Sequence, residues 1–126
     1  MIKWFEKYSA VSWVIVVLIC ITIFYVSSLT FEQIPRAFRI NYKTIIYHFG
    51  VFSALALFFN ISLIKGKNIS LIIPGIIGSG SYALYDEIHQ LFVQGRACTF
   101  FDLIIDTSGI LVASVFYLVY LSFRKA

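Results

Sequence analysis

The side chains best suited to chemistry are concentrated in one short part of the sequence, between positions 81 and 106. Four of the six carboxylates of the chain lie there, together with a histidine, a glutamine and an arginine. Carboxylates and imidazole can transfer protons to or from a bound substrate, and a guanidinium can hold a phosphate or carboxylate through two parallel hydrogen bonds. This window therefore predicts proton-transfer chemistry or the binding of a polar group, and its members are Asp86, Glu87, His89, Gln90, Arg96, Asp102 and Asp106.

The chain as a whole is too apolar for a soluble domain of its size. Of its 126 residues, 60% are hydrophobic and only 13% are charged, and the mean hydropathy is +0.91. A soluble domain of this length could not bury so much apolar surface, whereas a transmembrane helix needs about 20 mainly apolar residues. The sequence predicts an all-α integral membrane protein, a compact antiparallel bundle of four transmembrane helices at 11–29, 44–64, 69–91 and 100–123.

The distribution of charge favours a cytoplasmic location for both termini. In a four-helix layout, six basic residues fall on the side of the termini and four on the other side, and cytoplasmic loops are enriched in basic residues. The 81–106 window then lies at the outer face of a multi-pass protein of the cell membrane. Lys3 and Lys7 would also suit a signal peptide, but the apolar run that follows is longer than a typical signal-peptide core, so a retained helix is expected.

Helical geometry indicates which of these side chains can share a pocket. At about 100° per residue, Asp86, Glu87 and Gln90 fall within one arc of the third helix. His89 lies on the far side of Asp86 from Glu87, so the four side chains cannot all point into one pocket. His89 is therefore expected to be a packing or interfacial residue.

The fourth helix carries a matching polar stripe. Asp102, Asp106 and Gly109 lie on one narrow face, and the short connection makes the third and fourth helices antiparallel neighbours. Arg96 in that connection would lie above the two stripes, and His48 near the start of the second helix would lie at a similar depth. We therefore expect one shared polar pocket at the outer mouth of the bundle.

The segment at 86–109, DEIHQLFVQGRACTFFDLIIDTSG, resembles the signature of VanZ-like membrane proteins. That signature has a D-E-x-x-Q-x-F segment, an arginine, an aspartate, an aspartate or asparagine, and a glycine. Two positions depart from the pattern: Lys43 lies five positions before His48 instead of about one turn, and Gln94 replaces a proline. The matching positions are Asp86, Glu87, Gln90, Phe92, Arg96, Asp102, Asp106 and Gly109.

The resemblance implies one VanZ-like domain over residues 1–126, in a small integral membrane protein of the cell envelope. The named member of the family is linked to low-level resistance to teicoplanin, a glycopeptide antibiotic that bears a lipid chain. We therefore expect a pocket that binds a lipid headgroup or a lipid-anchored glycopeptide, through Arg96, Gln90, Glu87 and Asp106. The alternative is an integral membrane hydrolase or transferase for a lipid-linked phosphate or sugar, with Asp86, Glu87, Asp102 and His48 as its catalytic groups.

Less specific interpretations of the same residues stay open. The acids and Arg96 could form a purely structural network of ion pairs. His48 and His89 could join the acids around a metal, but no set of His and Cys residues has the spacing typical of a zinc site. No metal or other cofactor is therefore expected, and the basic composition indicates contact with lipid and not with nucleic acid. The oligomeric state is left open.

Overall fold

The computed structural model describes residues 1–28, 42–92 and 100–125, and it describes their side chains except at 42–44, 100 and 125. Helices make up the regular structure of this part of the protein. Helix α1 spans Ile2–Lys7, α2 spans Ser9–Ser28, α3 spans Tyr42–Ile64, α4 spans Ile72–Leu91 and α5 spans Phe100–Lys125. A short 3₁₀ turn at Ile69–Leu71 precedes α4. The predicted all-α architecture is confirmed for these residues.

The third predicted helix, at 69–91, becomes α-helical slightly later along the chain than the sequence predicted. Helix α3 ends in a turn in which Lys65 and Gly66 have positive φ angles of 52° and 71°, a conformation that glycine adopts without steric cost. The 3₁₀ turn follows, and α4 begins only at Ile72. Pro74 therefore lies in the first turn of α4, where its missing N–H removes no hydrogen bond within the helix.

Within the described residues, three helices are long and apolar enough to cross a membrane, at Ser9–Ser28, Ile45–Ile64 and Phe101–Arg124. The prediction of four such helices is thus confirmed for three of them. Helix α4, at 20 residues, is long enough to cross a membrane, but its composition is less apolar than that of the other three helices. Proline, glycines and serines fill its first half, and Asp86, Glu87, His89 and Gln90 lie close to its end.

Helix α3 lies at the centre of the bundle and packs against α1, α2, α4 and α5. Its buried Phe52, Leu55 and Ala56 form the core together with residues from the three other long helices. A second group of buried residues continues this core toward the end that holds the chain termini, and it consists of Ile61, Ile64, Tyr117 and Leu121. Every long helix therefore has one face fixed against α3 or its neighbours.

The opposite faces of the long helices are apolar and exposed, which is the pattern expected next to lipid. Soluble monomers rarely expose contiguous apolar patches larger than a few hundred Å², and the side chains concerned run along most of α2 and α5. The large apolar residues of these two faces include Val14, Val17, Leu18, Ile21, Leu111, Val112, Val115, Phe116 and Val119. With the three apolar helices, these faces support a membrane protein.

A buried carboxylate at the end of the bundle that holds the chain termini is fully partnered. Glu6 accepts a hydrogen bond from the Tyr117 hydroxyl at 2.5 Å and pairs with the Arg124 guanidinium at 2.5 Å. Arg124 also donates to the backbone oxygen of Gly66 at 3.3 Å. This network connects α1, α5 and the turn after α3, so its role in the fold is evident.

Helices α3 and α5 approach each other closely at a glycine, Gly109. A Cβ atom added to Gly109 would lie 2.7 Å from the backbone oxygen of Phe49 and 2.8 Å from Ser53 Oγ. The Ser53 hydroxyl donates a hydrogen bond to the backbone oxygen of Gly109 at 3.1 Å. Because a backbone oxygen within a helix cannot move aside easily, only glycine fits this position without displacing α3 or α5.

We predict that Gly109→Ala lowers the stability of the bundle by about 1–3 kcal/mol, the usual range for overpacking a well-packed core. The measurement is unfolding of the purified protein in detergent. Gly80→Ala is the matched control, because a Cβ at Gly80 would meet no atom within 4 Å. That substitution should be neutral or stabilising by up to about 1 kcal/mol, owing to the better helix propensity of alanine. An equal loss in both variants would contradict the close approach at Gly109.

Candidate functional site

Four titratable side chains from three helices converge at one end of the bundle. His48 comes from the second turn of α3, Asp86 and Glu87 from the last turns of α4, and Asp106 from the second turn of α5. One nitrogen or oxygen atom of each residue lies within 4.8 Å of the corresponding atom of every other. All four residues are buried, with 4% or less of their surface exposed. We call these four residues the acidic cluster.

His48 and Asp106 form the best-defined contact of the acidic cluster. His48 Nδ1 lies 2.8 Å from Asp106 Oδ1, a hydrogen bond that joins the central helix α3 to α5. A carboxylate bound to one ring nitrogen fixes the orientation of an imidazole and leaves the other nitrogen for a second partner. The second oxygen of Asp106, Oδ2, is buried and accepts no hydrogen bond within the described part of the chain.

Asp86 is held from the side of α2. The hydroxyl of Ser27 donates a short hydrogen bond to Asp86 Oδ1. The amide nitrogen of Gln90 lies 3.5 Å from Asp86 Oδ2 and 3.4 Å from Ser27 Oγ. Ser27, Asp86 and Gln90 therefore form a polar connection between α2 and α4, immediately beside the acidic cluster.

Glu87 differs from its neighbours because no residue in the described part of the chain donates a hydrogen bond to its carboxylate. Both of its oxygens are buried, and no described residue donates a hydrogen bond to either of them. Only 2% of the residue surface is exposed. Since buried polar groups in folded proteins are nearly always hydrogen-bonded, an unsatisfied carboxylate costs stability and requires an explanation in terms of function or of a bound partner.

The structure brings together most of the residues that the helical periodicity grouped. Asp86, Glu87 and Gln90 are all buried on the inner face of α4. His89 points elsewhere: its ring stacks on Phe24 at a centroid distance of 4.6 Å, and its Nε2 lies 2.9 Å from Ser28 Oγ. It therefore packs against α2, as its angular position on the helix indicated.

Two other predicted ligand or catalytic residues are Asp102 and Arg96, and the structure describes the first of them. Asp102 is partly exposed one turn before Asp106, nearer the start of α5, and it is not one of the four residues whose atoms converge. Arg96 belongs to the segment 93–99, outside the described residues. Its predicted role in holding an anionic group thus stays a prediction.

Ser27 is the site residue that sequence reasoning missed. The serine is the last residue but one of the apolar helix α2 and is 3% exposed. Its hydroxyl binds Asp86 across the bundle. The two adjacent serines at 27 and 28 were visible in the sequence as part of FYVSS. One signal could have identified the residue: a hydroxyl on the inner face of a span needs a polar partner on a neighbouring helix.

The donor atoms of the acidic cluster define what it can do chemically. It offers one imidazole and three carboxylates, a set that can transfer protons or ligate a divalent cation. The expectation that this chain needs no metal was based on the lack of a closely spaced His and Cys motif. The four candidate donor atoms come instead from three separate helices, an arrangement that spacing along the sequence does not reveal.

The geometry and the sequence can now be compared with known proteins. The family model described as VanZ/LLP1 matches residues 11–121, which include every described helix from α2 to α5 apart from their outermost residues. Neither a curated protein nor a solved structure matches the chain. The family match agrees with the resemblance seen in the 86–109 segment. The chain belongs to the VanZ/LLP1 family.

Proposed function

We propose that this VanZ/LLP1 membrane protein binds the polar headgroup of a lipid, or of a lipid-anchored glycopeptide, at the acidic cluster. Family membership and the three apolar helices support a membrane protein. The cluster supplies acceptors for hydroxyl and amino groups, and Gln90 supplies an amide beside them. A headgroup carries such donors, and its acyl chains can lie against the exposed apolar faces of the helices.

The observation that carries this proposal is the carboxylate of Glu87. Its two oxygens are buried without a hydrogen-bond donor among the described residues, and leaving such a group unsatisfied costs about 1–3 kcal/mol or more for a charged group. A ligand that donates to these oxygens recovers the lost hydrogen bonds. A headgroup with hydroxyl or amino donors fits this requirement, and an entirely apolar ligand does not.

In this proposal, α4 is a fourth membrane-spanning helix. Its outward face is apolar and exposed, through Ile73, Ile77, Leu84, Ile88 and Leu91. Four of its polar residues are buried on the inner face, Ser79, Asp86, Glu87 and Gln90. The low overall hydropathy of α4 thus comes from its inner face, which lies against other helices and not against lipid.

The position of the cluster along the helices suits a headgroup. Asp106 lies six residues after the start of α5 at Phe100, which is about 9 Å at a rise of about 1.5 Å per residue. Asp86 and Glu87 lie a similar distance from the end of α4. With both termini in the cytoplasm, as the basic residues favour, this end faces outward in the cell membrane, where envelope lipids and antibiotics are found.

The second candidate is an integral membrane enzyme that hydrolyses or transfers a lipid-linked phosphate or sugar. The hydrogen bond between His48 and Asp106 favours it, because a carboxylate-oriented imidazole is a common proton carrier. Glu87 lies within reach as a second acid or base. In this case Asp86, which is hydrogen-bonded to Ser27, would orient the substrate or take part in proton transfer.

Bound lipid is the most direct test of the proposed function. We predict that native mass spectrometry of the protein purified in mild detergent shows one co-purified envelope lipid per chain, and that Glu87→Gln loses it. Arg96→Lys should also lose lipid while reaching the membrane normally, because lysine lacks the planar fork that binds a phosphate through two hydrogen bonds.

His89→Gln is the matched control, since His89 lies at the same end of the bundle but packs against Phe24. It should keep the lipid. Full lipid retention in Glu87→Gln would contradict binding at the cluster. A wild-type preparation that converts an added lipid-linked phosphate would favour the enzyme, and Glu87→Gln should then turn over at least about 10²-fold more slowly.

The family resemblance adds a prediction in cells. Expression in a susceptible Gram-positive host should raise tolerance to teicoplanin more than tolerance to vancomycin, which has no acyl chain. The physical reason is that a lipid-anchored antibiotic presents its polar part at the depth of the acidic cluster. The measurement is the inhibitory concentration of each antibiotic, with cells expressing Glu87→Gln as the control for expression. Equal shifts for both antibiotics would argue against recognition of the lipid-bearing compound.

A further inference from the structure

The acidic cluster has the donor set of a divalent-cation site. Three carboxylates and one imidazole point together from α3, α4 and α5. Carboxylate oxygens suit hard cations such as Mg²⁺, Mn²⁺ and Ca²⁺, and imidazole also binds transition metals. Mn²⁺ is the cation that accepts both kinds of donor readily, so an oxygen-rich set with a single nitrogen favours it over zinc.

The distances within the cluster agree with a single ion. Ligand atoms on opposite sides of Mg²⁺ are about 4.1 Å apart, and across Ca²⁺ they are about 4.6–5.2 Å apart. The four atoms of the cluster all lie within 4.8 Å of one another. One ion of this class therefore lies within reach of all four residues once their side chains adjust to its bond lengths.

A second, independent observation points to a missing partner at the same place. Three buried carboxylate oxygens of the cluster accept no hydrogen bond from the described residues: both oxygens of Glu87, and Oδ2 of Asp106. Asp106 is completely buried and Glu87 nearly so. A cation would satisfy all three oxygens and would also screen the repulsion between carboxylates this close together.

The matched comparison is the other buried glutamate of the described chain. Glu6 is almost as buried as Glu87, yet each of its oxygens has a donor within the protein, Tyr117 for one and Arg124 for the other. The fold therefore does supply partners for a buried carboxylate where its role is structural. Among the described residues it supplies no hydrogen-bond donor for Glu87.

We propose that His48, Asp86, Glu87 and Asp106 bind one divalent cation of the Mn²⁺ or Mg²⁺ class in a carboxylate-rich site between α3, α4 and α5. The site deepens the proposed function and rests on it for its purpose, because a bound cation would attract the phosphate of an anionic headgroup to a pocket that is otherwise rich in acids. The cation site itself needs no lipid in order to be detected.

The test uses Mn²⁺ alone with the full chain, purified in detergent and stripped with a chelator. Electron paramagnetic resonance should show one saturable Mn²⁺ per chain, with a dissociation constant below about 1 mM, the weak end of protein sites for hard divalent cations. The bound ion should also show coupling to one imidazole nitrogen. Glu87→Gln should weaken Mn²⁺ binding at least about tenfold, because even residues that only support ligands contribute about 10–100-fold.

The histidines provide the matched pair of variants. His48→Gln should abolish the nitrogen coupling, whereas His89→Gln should keep both the coupling and the affinity. Absence of saturable Mn²⁺ binding by the wild-type protein, or equal binding by Glu87→Gln, would overturn the cation site. Unchanged coupling in His48→Gln would do the same.

The two proposals can fail separately. A protein that keeps its co-purified lipid but binds no Mn²⁺ would overturn the cation site and leave headgroup binding in place. The opposite result is a protein that binds Mn²⁺ through the cluster but carries no lipid, or carries lipid that Glu87→Gln also keeps. That result would overturn headgroup binding alone.

Discussion

The burial of carboxylates among apolar helices is the constraint on which the rest of this structure depends. A charged group removed from water is unstable unless protein groups or a bound ligand surround it. Three consequences are visible: polar residues of α4 lie on its inner face, His48 binds Asp106, and Ser27 binds Asp86 across the bundle. Apolar side chains cover the outer faces, where a polar side chain would be unfavourable next to lipid.

The two ends of the bundle meet this constraint in different ways. At one end Glu6 has its partners in Tyr117 and Arg124, which tie α1 to α5. At the other end Glu87 is buried to the same degree but has no hydrogen-bond donor among the described residues. The first arrangement explains part of the fold, whereas the second adds no hydrogen bond to the fold within the described residues. Residues of this second kind are typical of binding and catalytic sites, where stability is reduced for function.

Much of the site followed from the sequence because helical periodicity is a strong signal in a chain this apolar. The arc of Asp86, Glu87 and Gln90, the stripe that includes Asp106, and the depth of His48 could all be derived from angles and helix starts. Ser27 was missed, because its hydroxyl signals only the need for a polar partner, and the sequence does not show which face of this apolar helix meets α4. The position of Asp102 outside the cluster was not predicted either, because a single sequence gives no direct access to the packing between helices.

The central claim is that Glu87 is buried for a ligand and not for the fold, and the stability of Glu87→Gln tests it most directly. The free energy of unfolding should be measured in detergent, with chelator and without added lipid, beside Glu6→Gln. The account predicts that Glu87→Gln is at least as stable as the wild type, whereas Glu6→Gln loses about 1–3 kcal/mol with its hydrogen bonds to Tyr117 and Arg124. A loss in Glu87→Gln as large as that in Glu6→Gln would contradict the claim and make the acidic cluster a structural network.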